Sequence, residues 1–259
     1  MLKALYTAAS GMRSQQTQVD VIANNLANVN TAGFKKSDAR FEDLLYVTMR
    51  NPGAANKDGS TIAGLQLGSG SQLVSTTRSF EAGTPIQTGN PLDLAIEGEG
   101  FFELAAIDGT RIYTRDGSFL PDRDGNIVNH QGLKLVPSVG AIPRGAQITI
   151  APDGTVSTRV GDQISQLGQI TLVTFTNPAG LSAEGSNLYR ETPASGTPTT
   201  APAGEQGTGT ILQGNIERSN VDIATELINL ILAQRAYEVN TKAITTADQM
   251  LQSANQLAR

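Results

Sequence analysis

Along residues 219–259 apolar side chains return with a helical period. Leu230, Tyr237, Ile244 and Leu251 stand seven apart, and Ala233, Asn240, Ala247 and Ala254 follow each of them by three. That is an a/d heptad stripe. A second stripe runs beside it through Leu232, Ala236, Val239, Ala243, Met250 and Leu257. The pattern predicts one long helix with two apolar faces, which needs neighbours on both sides. Ser219-Asn220-Val221-Asp222 has the Ser-x-x-Asp form of a capping box and marks its expected start. Glu238 and Lys242, four apart in the favourable order, support the helix from its surface. At ~1.5 Å per residue it would run ~60 Å, more than a compact domain usually covers along one element.

The opposite end of the chain carries a matching pattern. Leu5, Ala8, Met12, Gln15, Val19, Ile22, Leu26 and Val29 alternate spacings of three and four, a heptad stripe interrupted only by Gln15. Ala8, Ala9, Ser10 and Gly11 are small enough to let another backbone come close. Gly33, after the polar run 28–31, is expected to take the left-handed conformation that stops a helix. Two readings fit: a helical hairpin closing over the chain's own core, or a terminal coiled-coil pair that packs in turn against copies of itself.

Between the helices the pattern changes. A short amphipathic piece (34–49) leads into a turn-rich connector, and from residue 71 the period becomes strand-like. Four Asp-Gly pairs, at 108–109, 116–117, 124–125 and 153–154, read as tight hairpin turns, since Asp-Gly favours the positive φ such turns require. Strands are expected over 72–80, 92–96, 101–107, 147–150 and 169–175, in a small β-sandwich or barrel ending at Leu188-Tyr189. Residues 192–210, with Pro193, Pro198 and Pro202, read as an extended or flexible arm leading back to the last helix. The expected class is α+β. Terminal helices (1–33 and 217–259) form a coiled-coil domain, followed in space by a connector (34–70), an inserted all-β domain (71–190) and a return arm (191–216).

Composition narrows the function. Charged residues make up 17% of the 259, well below the ~25% of ordinary soluble domains. A surface so poor in charge suits a chain that buries much of itself against other chains. The net charge of −5 and the lack of a basic run argue against nucleic acid or an anionic membrane as partner. No apolar run reaches 18 residues, so no membrane-spanning helix and no direct membrane insertion are expected. The amino terminus lacks the long apolar core of a cleaved secretion signal. Without cysteine there is no disulfide and no thiolate metal site.

Catalytic chemistry finds little footing. His130 is the one histidine, in a polar turn with no nucleophile marked near it. The run 122–126 departs from a calcium loop: its glycine comes one place early, and position twelve is Leu133 rather than Glu. Gly64-x-x-x-Gly68-Ser69-Gly70 has no following Gly-Lys-Ser/Thr and no leading strand, so it is a connector rather than a phosphate loop. No catalytic, cofactor-binding or metal-ligating residues are assigned, and no cofactor.

The stretch Ala23-Asn24-Asn25-Leu26-Ala27-Asn28-Val29-Asn30-Thr31-Ala32-Gly33-Phe34-Lys35 resembles the signature of the bacterial flagellar rod and hook proteins. The likeness extends through 88–96, Gly98-Glu99-Gly100-Phe101-Phe102, Tyr113-Thr114-Arg115-Asp116-Gly117, Ser219-Asn220-Val221-Asp222 and Ala233-Gln234-Arg235-Ala236-Tyr237-Glu238. Length and the passages 41–70 and 177–192 are similar to the distal-rod branch, with hook or proximal rod subunits as the alternative. The resemblance implies a structural subunit of a hollow helical rod that carries torque and encloses an export channel. In that branch the segment matching 46–68 keeps the tube straight, and residues 54–61 are where this chain departs most. Also implied are copies of itself, proximal rod proteins, the hook protein and the surrounding P- and L-ring proteins as partners. The location would be the periplasm-spanning rod of the basal body, reached by the flagellum's own export apparatus.

The residues expected to carry assembly are Leu5, Ala8, Met12, Val19, Ile22, Asn24, Asn25, Leu26, Asn28, Gly33 and Phe34, with Leu230, Ala233, Tyr237, Asn240, Ile244, Ala247 and Leu251. Among them Asn24, Asn25 and Asn240 would be buried amides that fix register between helices. A lone chain is expected to leave both ends disordered, because neither can cover its apolar faces, and to order them on stacking.

Overall fold

The computed structural model describes residues 2–50, 55–56, 59–60, 64–106, 108–143 and 145–257. The chain divides into two compact units, one of residues 1–27, 37–77 and 222–259, the other of residues 28–36 and 78–221.

The first unit holds both helices. Helix α1 spans Leu2–Ala27 and helix α2 spans Ile223–Leu257. They pack side by side and antiparallel: Gly11 lies against Asn240, and Val19 shares a shallow cleft with Gln234 and Tyr237. Helix α2 begins later than the capping-box reading expects. Asp222, not Ser219, is its N-cap, accepting from the backbone N–H groups of Ala224 and Thr225 at 3.3 Å each. Helix α1 ends at Ala27, six residues before Gly33. Within the amphipathic piece lies strand β1 (Ser37–Asp43); β2 (Val47–Arg50) and β3 (Leu65–Leu67) form a hairpin, and β4 (Ser71–Arg78) pairs with β1. The divergent stretch 54–61 falls largely outside the described residues. Only the short pairing of Ala55–Asn56 with Gly59–Ser60 is seen there.

The second unit is β-rich. Its strands include β5 (Leu94–Glu97), β6 (Phe101–Ala105), β7 (Arg111–Thr114), β8 (Lys134–Val136), β9 (Thr171–Thr174), β10 (Leu188–Arg190) and β11 (Thr210–Gln213). Strand β6 is the hub, pairing with β7 along one side and with β8 and β9 along the other. The nine-stranded sheet around it runs from one free edge to another, so it is open and not the closed barrel that the turn spacing allowed. A three-stranded antiparallel sheet over residues 147–169 and the β5–β11 pair complete the unit. Phe102, Leu94, Leu104, Phe119, Ile170 and Leu172 are wholly buried in the main core. A satellite of edge-to-face rings joins Phe101, Phe175, Tyr113, Tyr189 and Phe80.

Three of the four Asp-Gly pairs turn as expected: Gly109, Gly125 and Gly154 have φ of +82°, +82° and +86°. Asp116-Gly117 does not. Gly117 sits under the Leu94 carbonyl, where any Cβ would collide, and accepts the Leu94 N–H at 3.0 Å. That glycine serves a close crossing of two backbones. The proline-rich stretch is built into the sheet, since Thr199–Pro202 pairs with β9.

Candidate assembly interface

The expected interface residues fall into two groups. In the first unit, the heptad stripes of α1 and α2 face each other within one chain. On α1, Leu5, Ala8, Met12, Val19 and Leu26 are half-buried and Ile22 is fully buried. On α2, Ala233 and Ala247 are buried, Leu230, Asn240, Ile244 and Leu251 half-buried, and Tyr237 is 43% exposed. The small residues of α1 do what their size allows. A Cβ on Gly11 would stand only 3.1 Å from the Asn240 amide nitrogen, and next to it Thr241 Oγ1 donates to Met12 Sδ. The first stripe is therefore an intramolecular seam, and both ends are helical in the single chain rather than disordered as expected, because each covers one apolar face of the other.

The other face of α2 has no such cover. Ile228, Ile231, Leu232, Val239 and Met250 are between 52% and 66% exposed, with Leu227 at 43%. At ~100° per residue they lie on the far side of the helix from the seam. The second stripe read from the sequence shares Leu232, Val239 and Met250 with this face but not Leu227, Ile228 or Ile231, and the expected interface residues were drawn from the first stripe. A row of exposed branched aliphatics on one helix is the signal that marks it, because large contiguous apolar patches are uncommon on solitary soluble domains.

The three asparagines have three different surroundings. Asn24 is exposed, whereas Asn25 is 1% exposed and pairs twice with the backbone of Ser37, donating to its carbonyl and accepting from its N–H, each at 2.9 Å. It ties α1 to the start of β1 rather than setting register between helices. Asn240 is the one that stands in the seam.

Asn28, Gly33 and Phe34 belong to the second unit. Asn28 opens the turn after α1 and accepts the Thr31 N–H at 3.1 Å. Phe34 packs with Val29 and Val221. Gly33 is left-handed (φ +68°) as expected, for a different reason: its N–H donates to Glu217 O at 2.8 Å, and a Cβ would approach the Asp116 N at 2.6 Å. It lets the incoming and outgoing strands of the chain cross, rather than capping a helix.

Beside Gly33 lies a buried ion cluster: Lys35 and Arg115 fall within stretches that carry the family resemblance, but nothing in the sequence joins them to Glu217. Lys35 Nζ donates to Glu217 Oε1 and to the Glu81 carbonyl, both at 2.6 Å. Arg115 reaches Glu217 Oε2 at 3.4 Å and the Gly98 carbonyl at 2.9 Å, and stacks over the Phe101 ring. The Gly83 N–H supplies Glu217 Oε1 with a further bond at 2.7 Å. All three charged side chains are no more than 3% exposed. Burial pulls both Lys35 and Arg115 below their ordinary values, with Glu217 opposing the shift in each case. The cluster pins the segments leading into and out of this unit. Its members are 35, 115 and 217, too far apart in sequence for spacing to reveal.

His130 is exposed in the turn 129–132, and 122–126 is a hydrogen-bonded turn closed by Gly125 N–H to Asp122 O. Among the described residues no group of acidic, histidine or cysteine side chains could hold a metal, and no helix is long and apolar enough to cross a membrane.

Comparison with known proteins assigns the architecture. Three family models match in chain order: "Flagella basal body rod protein" over residues 5–35, "Flagellar hook protein FlgE/F/G D1 domain" over 95–158, and "Flagellar basal body rod FlgEFG protein C-terminal" over 212–257. The chain is 48% identical to the flagellar basal-body rod protein FlgG of Borreliella burgdorferi, with both covered in full. It is 46% identical to that of Caulobacter vibrioides over 99% of each chain, and 44% identical to that of Bacillus subtilis over the whole of each. The FlgF rod protein of Caulobacter vibrioides is 34% identical over 98% of this chain. Full-length identity at this level, joined to helices and β-rich unit in the matching order, makes the chain a structural, non-enzymatic member of the FlgG family of flagellar basal-body rod proteins.

Proposed function

We propose that the chain polymerises head to tail into the hollow distal rod, with the uncovered stripe of α2 as the adhesive surface between subunits. The observation that carries this reading is the row Ile228, Ile231, Leu232, Val239 and Met250, each more than half exposed in the single chain. Burying one such side chain fully stabilises by about 1.5–3 kcal/mol, so five of them supply the order of energy a subunit contact needs. The paired helices act as a coiled coil whose seam is satisfied internally and whose outer face is spent on copies. A contact of this heterologous kind that does not close on itself generates an open helical tube.

The β2–β3 hairpin offers a second apolar surface: Leu45, Tyr46, Val47, Met49, Leu65 and Leu67 are all exposed. It lies in the segment that would stiffen a straight rod, and we assign it to contacts along the tube. The remaining partners in this reading are the proximal rod proteins, the hook protein and the P- and L-ring proteins. The subunit would travel through the flagellar export apparatus to a periplasm-spanning rod.

Substitution separates seam from surface. Leu232→Asp and Val239→Asp should leave a folded, helical monomer that forms no filaments at concentrations where the parent does, as seen by electron microscopy. Leu230→Asp or Leu26→Asp, in the seam, should lower helicity in the monomer as well, while the β-rich unit stays folded. Normal filaments from both outer-face variants would refute the assignment.

A further inference from the structure

Helix α1 also has a face turned away from the seam, and there the first unit is hollowed. Tyr6, Ala9, Arg13 and Thr17 line one wall of a cleft of about 550 Å3, and Leu44 and Leu73 line the other. The cleft is built rather than incidental. Ser71 at the start of β4 fastens the far wall to α1, its N–H donating to Ser10 Oγ at 3.3 Å and its hydroxyl lying 3.0 Å from Ser14 Oγ. The Leu44 N–H donates to the Gly70 carbonyl at 2.8 Å and holds the rim. Tyr6 is 74% exposed and Leu73 42% exposed, so apolar side chains stand open at its mouth.

The same unit therefore presents an apolar hollow on the outer side of α1 and an apolar ridge on the outer side of α2, with the seam between them. A ridge and a hollow on opposite sides of one body cannot satisfy each other within a chain or in a two-fold dimer. They can do so only from one copy to the next. We propose that the cleft of one subunit receives the outer stripe of α2 from its neighbour, with Leu232 and Val239 seated between α1 and β4. This names the receiving surface for the assembly reading above and rests on it. Small side chains at Ala9 and Ser10 give the approaching helix room, as Gly11 does for Asn240 on the seam side.

The chain has no cysteine, which makes the test direct. Chains carrying only Ala9→Cys are mixed with chains carrying only Val239→Cys, allowed to assemble, and treated with a short bis-maleimide. The proposal expects a covalent dimer in the mixture and little in either variant alone. Filaments that form without the mixed cross-link, or Val239→Cys chains that cross-link to themselves, would overturn the ridge-in-hollow contact while leaving assembly standing. Chains that never assemble would sink the assembly reading and this contact with it. A second variant, Ala9→Trp, fills the hollow without touching the seam. It should raise the concentration needed for filaments at least about tenfold with monomer helicity unchanged; unaltered assembly would contradict the proposal.

Discussion

Phe102, Leu104, Phe119 and Leu172 are wholly buried in the β-rich unit, whereas Ile228, Ile231, Leu232 and Val239 on α2 stand 56–66% exposed. The first unit leaves a row of aliphatic side chains along one helix in water, whereas in the second the exposed aliphatics, such as Val160 and Ile164, stand outside a large buried core. Even its charges follow the contrast. The β-rich unit buries Lys35, Arg115 and Glu217 together, while the ion pair on α2, Arg235 to Glu238 at 3.3 Å, is largely in solvent and adds little. One unit is finished by folding. The other leaves one face of α2 uncovered.

The contrast can be broken from the sealed side first. Glu217→Gln removes the carboxylate that pairs with both buried cations, and losing one partner from such a cluster typically costs about 3–5 kcal/mol. Thermal unfolding of the full chain should show the β-rich unit melting far earlier, with hydrogen exchange rising at 33–36 and 217–221 together. A loss below about 1 kcal/mol would mean the cluster is ornamental. Phe102→Ala, which empties a site packed edge-to-face on Phe119 at 5.3 Å, should cost about 3–5 kcal/mol by the cavity it leaves.

Smaller effects sharpen the picture. Asp222→Ala deletes the cap of α2 and should be read as lost helicity with the β-rich unit unaffected. Glu103 offers a pH test within the second unit. Its carboxylate is 3% exposed and touches Arg111 at 3.1 Å without an aligned hydrogen bond on Oε1. Burial, opposed by Arg111, raises its folded value above the ordinary one. Such a group favours folding at pH below its unfolded value and loses that contribution as pH rises through the folded one. Glu103→Gln does not titrate, so its stability relative to the parent should improve between pH 4 and pH 7. An advantage that shrinks over that range would give the wrong sign. The Tyr113 phenol, pushed up to about 12 mainly by burial, stays neutral throughout.

Much of this was legible in residues alone. Heptad spacing located both helices, and the change to a strand-like period between turn residues located β5, β6 and β9. Heptads could not say which of α2's two stripes stays inside the chain, because both fit the same period. Only packing against α1, through Gly11 and Asn240, decides that. Asp116-Gly117 misled because a dipeptide favouring one backbone conformation also serves where there is simply no room for a Cβ. Ser219 looked like a cap, yet Asp222 three residues on has the better acceptor and takes the role. The Lys35–Arg115–Glu217 cluster was invisible because it is made by chain crossings, not by local spacing.

The most direct measurement of the central claim is hydrogen–deuterium exchange of the full chain before and after assembly. If α2's outer face is where copies meet, amides over residues 228–250 should become markedly slower to exchange in filaments, while those of β6 and β9 stay as slow as they were. Filaments in which α2 exchanges as fast as in the monomer would contradict the account.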